Sequence, residues 1–458
     1  WKDARNYFSL IGLIEDEKIQ KQIYEDSKGW IAALYLMSKN YFSGQPIEDL
    51  KRMLKDSLFE KYDEARREAL VKLSYFDTIS PKQAAYIFDD CSMPVLLEQF
   101  YKDNAFITLD SKCNYKFHQI FLNFLRDEQT KYRFDTDTIY RRAGEWFAAN
   151  DDHMMAFHYW QLSGDYESIF EFLEAADISH INSLDRKLIF PVFNATDTEL
   201  WYRYPIATLK YIFLLILYNE REYAGQLLND LDAYFRKAEY DRYCRSQLLA
   251  ELQIVRTSLA FNDMTELIEH SKEAYRLFDG KVSLMRKRSG VYTYGCPHFS
   301  YMYYNKPGMY RKLIEEIKNG FDYHIRACNG CGAGADLLTQ AEYYLETGDF
   351  DKVKLLASEA RYVSEQHEQT CITAASMFVL ARLHHITGNT AEMNEVIGHM
   401  ELMREKENNP LNSDVLDNAL GYMYVLLDRV EKIPVWLRED DITYRFSAYQ
   451  GTSFNHLV

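Results

Sequence analysis

Apolar residues recur at helical spacing along most of the chain, most clearly from Ala335 to Val363. Leu337, Leu338, Ala341, Tyr344 and Leu345 fall on one face, and Val353, Leu356, Ala357, Ala360 and Val363 on a second. This is the spacing of two amphipathic helices. Gly348-Asp349 separates them. Glycine takes the left-handed conformation that ends a helix, and the aspartate is expected to cap the next one, with Asp351 in its dipole-favoured first turn. A two-helix hairpin of this length cannot bury its apolar faces alone, so neighbours of the same kind are implied.

The turn recurs at Gly164-Asp165-Tyr166, Arg221-Glu222-Tyr223, Asn262-Asp263-Met264, Gly308-Met309-Tyr310, Gly388-Asn389-Thr390 and Asp428-Arg429-Val430. From Gly308 onward the spacing is about 40 residues, the signature of a helical-hairpin solenoid. Because the unit exceeds the ~34 residues of a tetratricopeptide repeat, the array is tetratricopeptide-like and is assigned to residues 135–458.

Upstream the pattern differs. Residues 1–60 read as a helical arm, most apolar from Gly29 to Phe42. Residues 61–134 read as a helix over Ala65–Phe76, a second opened by Ser80-Pro81, a third over Pro94–Asp103, an alternating hairpin AFITLD-SKCN-YKFH, and a closing helix from Gln119. The proline suits a first helical position and the alternation suits strands, which together describe a winged-helix domain. The predicted fold is mainly α: arm, winged helix, then solenoid. A winged helix raises the question of DNA, but the third helix offers only Lys102 against Glu98 and Asp103, too little to read bases and hold phosphates. A packing and relay role is expected of it.

Charge agrees with that reading. Lys+Arg number 53 against Asp+Glu 69, a net charge of −16, which opposes a phosphate-gripping surface. No run of about 18 apolar residues could span a membrane, and no signal pattern opens the chain, so a soluble cytoplasmic protein is expected. Seven cysteines, an odd number, suit free thiols in a reducing compartment. A start at Trp1 rather than Met suggests a piece of a longer polypeptide.

Candidate chemistry is sparse. Cys328-Asn329-Gly330-Cys331 has CxxC spacing with His324 nearby, yet no fourth ligand follows before Cys371, so no metal is expected. Gly330-x-Gly332-x-x-Ala335 lacks the strand-turn-helix setting of a dinucleotide site. His384 and His385 point about 100° apart on a helix and cannot share a metal. No catalytic constellation stands out, and an enzyme is the weakest reading. Aromatic residues make up 15%; most read as repeat core, some as lining for the concave face of a solenoid. Two irregular segments, Tyr294 to His298 and Asn329 to Gly334, each precede the first helix of consecutive repeats. They are expected at one edge, where helix N-termini with His298, Asn329 and Asp336 would bind an anionic or hydroxyl-rich ligand.

Several stretches, GWIAALYL, LLEQFYKDNAFITL, YKFHQIFLNFLRDE and IYRRAGEWFAAND with AFHYWQLSGDYESI, resemble the MalT-type branch of the LuxR-family transcription regulators, in the STAND class of signal-transducing ATPases. The likeness covers the chain well to about residue 175 and extends through TYGCPHFSYMYY and NGCGAGADLLTQAEYYLETGDFDKVKLLASEA. The resemblance implies a full protein of four parts: a nucleotide-binding domain, a helical and winged-helix arm, a superhelical sensor and a DNA-binding helix-turn-helix. These residues match the middle two, since no GxxxxGK[ST] phosphate loop occurs. It further implies that His118 contacts a bound diphosphate, and that Gly29-Trp30-Ile31 lies against adenine, with Ile31 where the family usually has proline. ATP or ADP is thus implied for the full protein and no cofactor within these residues. An inducer or regulatory protein would bind the repeats, DNA would be met only through the absent C-terminal domain, and the active form would self-associate. The other reading is a repeat scaffold that binds a protein partner without a small inducer.

Overall fold

The computed structural model describes residues 2–10, 17–27, 34, 38, 48–103, 106–177, 186–260, 263–286, 293, 295–304 and 306–438. Gly29 and Ile31, expected at the adenine, and Tyr294 lie outside them. The chain divides into two compact units, residues 1–169 and 170–458.

In the first unit, helices α1 (Lys2–Leu10), α2 (Glu17–Ser27) and α3 (Glu48–Ser57) belong to the arm. The winged helix follows as α4 (Glu64–Leu73), β1 (Thr78–Ile79), α5 (Pro81–Ile87), α6 (Met93–Lys102), β2 (Ile107–Leu109), β3 (Tyr115–Phe117) and α7 (Gln119–Gln129). The expected helices and hairpin are all present. Ser80 and Gln83 close a reciprocal capping box at the start of α5, with Pro81 inside its first turn, so the chain enters that helix with its orphan amides met. One strand was not anticipated: β1 pairs antiparallel with β3, giving the order β1-β3-β2. A strand of two residues is too short to leave an alternation in the sequence.

Helices α8 (Thr136–Ala149) and α9 (His153–Ser163) follow the winged helix within the same compact unit. Ile139, Ala143 and Tyr159 join the same core as Leu70, Phe76, Leu97, Phe100 and Phe121, so the burial that begins in the winged helix ends in these two helices. At Gly144 a Cβ would stand 2.4 Å from Cδ1 of Trp160, and the bare backbone lets the indole pack.

Helix α10 (Tyr166–Ala175) leads into the second unit, followed by α11 (Arg186–Ala195), α12 (Thr198–Arg203), α13 (Pro205–Leu217), α14 (Arg221–Lys237), α15 (Arg242–Leu259), α16 (Met264–Phe278), α17 (Tyr310–Ala327), α18 (Ala335–Thr347), α19 (Phe350–Gln366), α20 (Thr370–Ile386), α21 (Thr390–Lys406) and α22 (Pro410–Leu426). These form the expected array of hairpins. Their turns share one register in which a left-handed residue is followed by the N-cap and then the first helical residue: Gly308, Gly348, Gly388 and Asp428. The turn expected at Arg221 belongs two residues earlier, because the left-handed position is Asn219, at φ 65°, and Arg221 already lies in α14. Asparagine tolerates that conformation with a modest penalty, which hides the turn from a search for glycine. Asp349 does not cap α19 as expected. Its carboxylate accepts from Lys352 Nζ at 2.5 Å, while the backbone alone makes the turn.

Each hairpin contributes a first and a second helix. First helices pack in a row, α13 on α15, then α18 on α20 and α20 on α22. The row breaks between α15 and α18. Second helices α16 and α17 instead pack directly together, with Gly320 so close to Ile268 that a Cβ would approach its Cγ2 to 2.5 Å. Where a first helix belongs, before the Gly308 turn, the described residues hold one 3-10 turn, Ser300–Met302.

Candidate functional site

The break in the row is filled by irregular backbone, residues 283–286 and 295–304, here called the strap. Irregular backbone must find hydrogen-bond partners off its own ladder, and two glutamates supply them. Glu342, on the buried face of α18, accepts the amides of Phe299 and Ser300 at 2.7 Å each and the Ser300 hydroxyl at 2.5 Å. His298 Nδ1 lies 3.3 Å from the same carboxylate, and Tyr310 OH meets the Ser300 hydroxyl at 2.6 Å. Glu251, on α15, accepts the Ser283 hydroxyl at 2.6 Å and the amide of Leu284 at 2.5 Å. Each end of the strap thus presents a serine hydroxyl and neighbouring amides to one carboxylate, a small anion-binding nest.

Both carboxylates are buried, and desolvation pushes each up to about 7, opposed by the hydrogen bonds they accept. Arg382 does not relieve Glu342 by direct pairing; its guanidinium is bound 3.0 Å from Glu346, which also accepts from Tyr301 OH at 3.2 Å. The Tyr301 ring stacks on His298 with centroids 3.4 Å apart. Farther along, Asn418 of α22 donates to the carbonyl of Gly295 at 2.8 Å. Contacts of the strap therefore reach α15, α18 and α22. Beside its C-terminal end, between Tyr303, Tyr304 and Lys306 and the first turns of α16 and α17, lies a cleft of about 100 Å³.

Lys210 performs a related service in reverse. Buried on α13, it donates to the carbonyls of Leu173, Glu174 and Ala176 at 2.6 to 3.0 Å, closing the C-terminus of α10, while Glu174 accepts the amide of Ala207 at 2.7 Å. Burial lowers the lysine to about 8.

Among the described residues, His298, Asn329 and Asp336, expected to line one ligand groove, have three different settings. His298 is buried, at 3% exposure, inside the Glu342 cluster. Asn329 stands exposed in a left-handed turn after α17. Asp336, half-buried in the first turn of α18, has its carboxyl raised by desolvation and accepts amides of its own turn. The loop between them is covered: Gly332 donates to Gln369 Oε1 at 2.6 Å, and a Cβ on Gly334 would stand 2.9 Å from the carbonyl of Ala360. Its glycines serve packing of consecutive repeats. Cys328 and Cys331 are buried and not joined in a disulfide, with Cys328 Sγ 4.0 Å from His324 Nδ1. Among the described residues no group of three or more potential ligands is placed to hold a metal, and no helix is long and apolar enough to cross a membrane.

His118 sits where wing passes into α7 and is its N-cap. Nδ1 accepts from the Ile120 amide at 3.4 Å, and its own amide donates to the carbonyl of Phe106 at 2.7 Å. Burial holds the imidazole below its usual range. A neutral ring that accepts at Nδ1 carries its proton on Nε2, a donor suited to a phosphate oxygen. On α6, Lys102 is paired with Glu98 at 2.6 Å.

Residues 55–136 match the family described as the MalT winged helix domain. The chain carries a MalT-type winged-helix domain. The MalT-type domain thus begins within α3, ends at the start of α8, and holds His118 near its close. Among solved structures, the chain is similar to a signal transduction ATPase with numerous domains (STAND) that carries a tetratricopeptide repeat sensor, from Pyrococcus horikoshii. Identity is 14% and the TM-score 0.43, over 88% of this chain and 62% of that one. The chain thus spans less than two thirds of that protein's length, and the likeness is too distant to place residues. No curated protein matches the chain.

Glu251 and Glu342 escaped sequence reasoning. The signal was present, since each acid occupies a core position of an amphipathic helix: Glu342 lies between Leu338 and Leu345, and Glu251 within Leu248 to Val255. An acid on an apolar face needs a donor from outside its helix.

Proposed function

We propose that this chain is the sensor and regulatory-arm region of a nucleotide-dependent, LuxR-family transcription regulator of the cytoplasm. The observation that carries the reading is the MalT-type winged helix followed in one chain by an array of helical hairpins. In this reading an inducer or regulatory protein held by the repeats shifts the full protein between resting and self-associated active states. ATP or ADP binds a domain outside these residues, with His118 donating from the wing to the diphosphate of the resting form, and DNA is met only through a further domain.

Two measurements separate the readings. The flanking coding sequence should specify a phosphate-binding loop upstream and a helix-turn-helix downstream; a scaffold would have neither. In the full-length protein His118→Ala should weaken ADP binding, and unchanged ADP affinity returns His118 to its capping role alone.

A further inference from the structure

Helix α20 is buried on every side over most of its length. Near its C-terminal end it emerges, and there the array sets one cation among rings. Arg382 Cζ stands 5.7 Å from the ring centroid of Phe378 on its own helix and 5.8 Å from that of Tyr422 on α22. The two rings meet edge to face at 5.3 Å. Arg382 Nη2 donates to Glu346 at 3.0 Å, and Tyr301 OH donates to the same carboxylate. Nε and Nη1 have no acceptor among the described residues, and both reach solvent. A guanidinium keeps its charge at any working pH and presents its donors in a fixed plane. The rings hold that plane, so an incoming acceptor meets donors already oriented.

Around this cation the surface is apolar. Ile386 follows Arg382 by one turn of α20, and Val425 and Leu426 follow Tyr422 by one turn of α22. All four apolar side chains are exposed, Val425 at 61%. As first helices of successive hairpins, α20 and α22 run the same way and pack together. Their last turns therefore make one surface, with Arg382 one turn in from its edge. Apolar side chains alone would accept many occupants, and the open donors narrow the choice. They fit a carboxylate, which takes charge-assisted hydrogen bonds that a cationic group cannot accept. Glu346 leaves this capacity unused, because it engages only Nη2 and has Tyr301 as a second donor.

We propose that the last turns of α20 and α22 form a docking surface for a partner-protein segment that carries a carboxylate flanked by apolar side chains. The carboxylate pairs with Arg382, and its apolar neighbours cover Ile386, Tyr422, Val425 and Leu426. An arginine and a tyrosine within an apolar patch are the residues on which interface energy concentrates. The proposal rests on the reading that the repeats hold a partner, and it serves regulator and scaffold alike. Its failure would leave the test by flanking coding sequence untouched.

A displayed library of short random peptides, selected on the 458-residue chain with the Val425→Glu chain as counter-selection, supplies the probes. Surviving peptides should carry Glu or Asp between apolar residues. Replacing that acid by Gln or Asn should weaken binding at least about 10-fold by fluorescence anisotropy. Because Val425 is exposed, its substitution leaves the fold intact and reads the charge of the occupant. Val425→Glu should weaken binding about 10-fold, whereas Val425→Lys should leave it within about 2-fold or tighten it. Arg382→Gln should abolish the preference for the acid; if a urea melt shows that this variant does not fold, the two Val425 variants decide. Four results overturn the proposal. No peptide survives; the survivors lack the acid; Val425→Glu and Val425→Lys weaken binding equally; or sedimentation shows the chain pairing with itself in a contact that Val425→Glu abolishes, which makes a second copy the occupant.

Discussion

Glu342 predicts a pH dependence whose sign and size follow from its burial. The group titrates near 7 in the fold against an ordinary 4.5, so between those values the folded protein holds a proton that the unfolded chain has released. Stability from this source is fully present below about pH 4.5 and is lost as pH rises through 7. At 1.36 kcal/mol per unit, raising the pH from 5 to 8 costs roughly 2 to 3 kcal/mol through Glu342, and Glu251, shifted alike, costs a similar amount. The groups facing Glu342 are Ser300 and His298 of the strap, Tyr310 of α17, and more distantly Arg382 of α20. His324, buried and pushed down to about 3, works in the opposite sense, favouring the fold above its unfolded value. The useful observable is therefore the difference between wild type and Glu342→Gln, from urea melts at each pH. Glutamine does not titrate, and it sets its amide against the Ser300 amide at a cost of about 1–3 kcal/mol. The variant should be the less stable form at pH 5, and the gap should close by roughly 2 to 3 kcal/mol by pH 8. A gap that stays constant from pH 5 to 8 would show that Glu342 is charged throughout, and the argument from desolvation would fail.

Lys210→Met keeps the apolar stem but strips three carbonyls of their donor; a loss of about 3 kcal/mol is expected, read as the urea midpoint of the second unit. Gly334→Ala and Gly348→Ala form a contrast, since both positions have φ beyond +80° but only Gly334 has a carbonyl within 2.9 Å of the added carbon. Thermal melts should show about 1 kcal/mol lost at Gly348, from backbone strain, and distinctly more at Gly334. In the full-length protein His118→Ala should raise activity without inducer, beyond the roughly 1 kcal/mol its loss as an N-cap costs; a reporter assay beside a melt of the same variant distinguishes the two effects.

The parts legible in the sequence were those set by local rules. The Ser80-Pro81 helix start, the wing hairpin and the turns at Gly308, Gly348 and Gly388 depend on capping, alternation and left-handed backbone, all written within a few residues. What was misread depended on distance. His298, Asn329 and Asp336 were expected in one groove because their loops precede consecutive repeats, and register alone cannot tell that Gln369 and Ala360 cover one loop. That α8 and α9 share a compact unit with the winged helix is likewise a matter of packing, because their helical pattern suits the array while Ile139, Ala143 and Tyr159 join the winged-helix core. Most informative is the stretch before Gly308, where the period of the repeat persists although the described residues hold only a 3-10 turn in place of a first helix. Periodicity measures chain length between turns, and irregular backbone can take up that length as well as a helix can.

The same break bears on how folding energy is shared along the array. In a stack of hairpins each unit is coupled chiefly to its neighbours, and cooperativity spreads through those interfaces as in a one-dimensional chain of spins. Elsewhere in the row, helix-on-helix contact joins one first helix to the next. Between α15 and α18 the coupling passes through α16 on α17 and through two carboxylates that titrate near neutral pH. The link in the middle of the array, with α13 to α16 on one side and α18 to α22 on the other, is thus one whose strength varies with proton concentration.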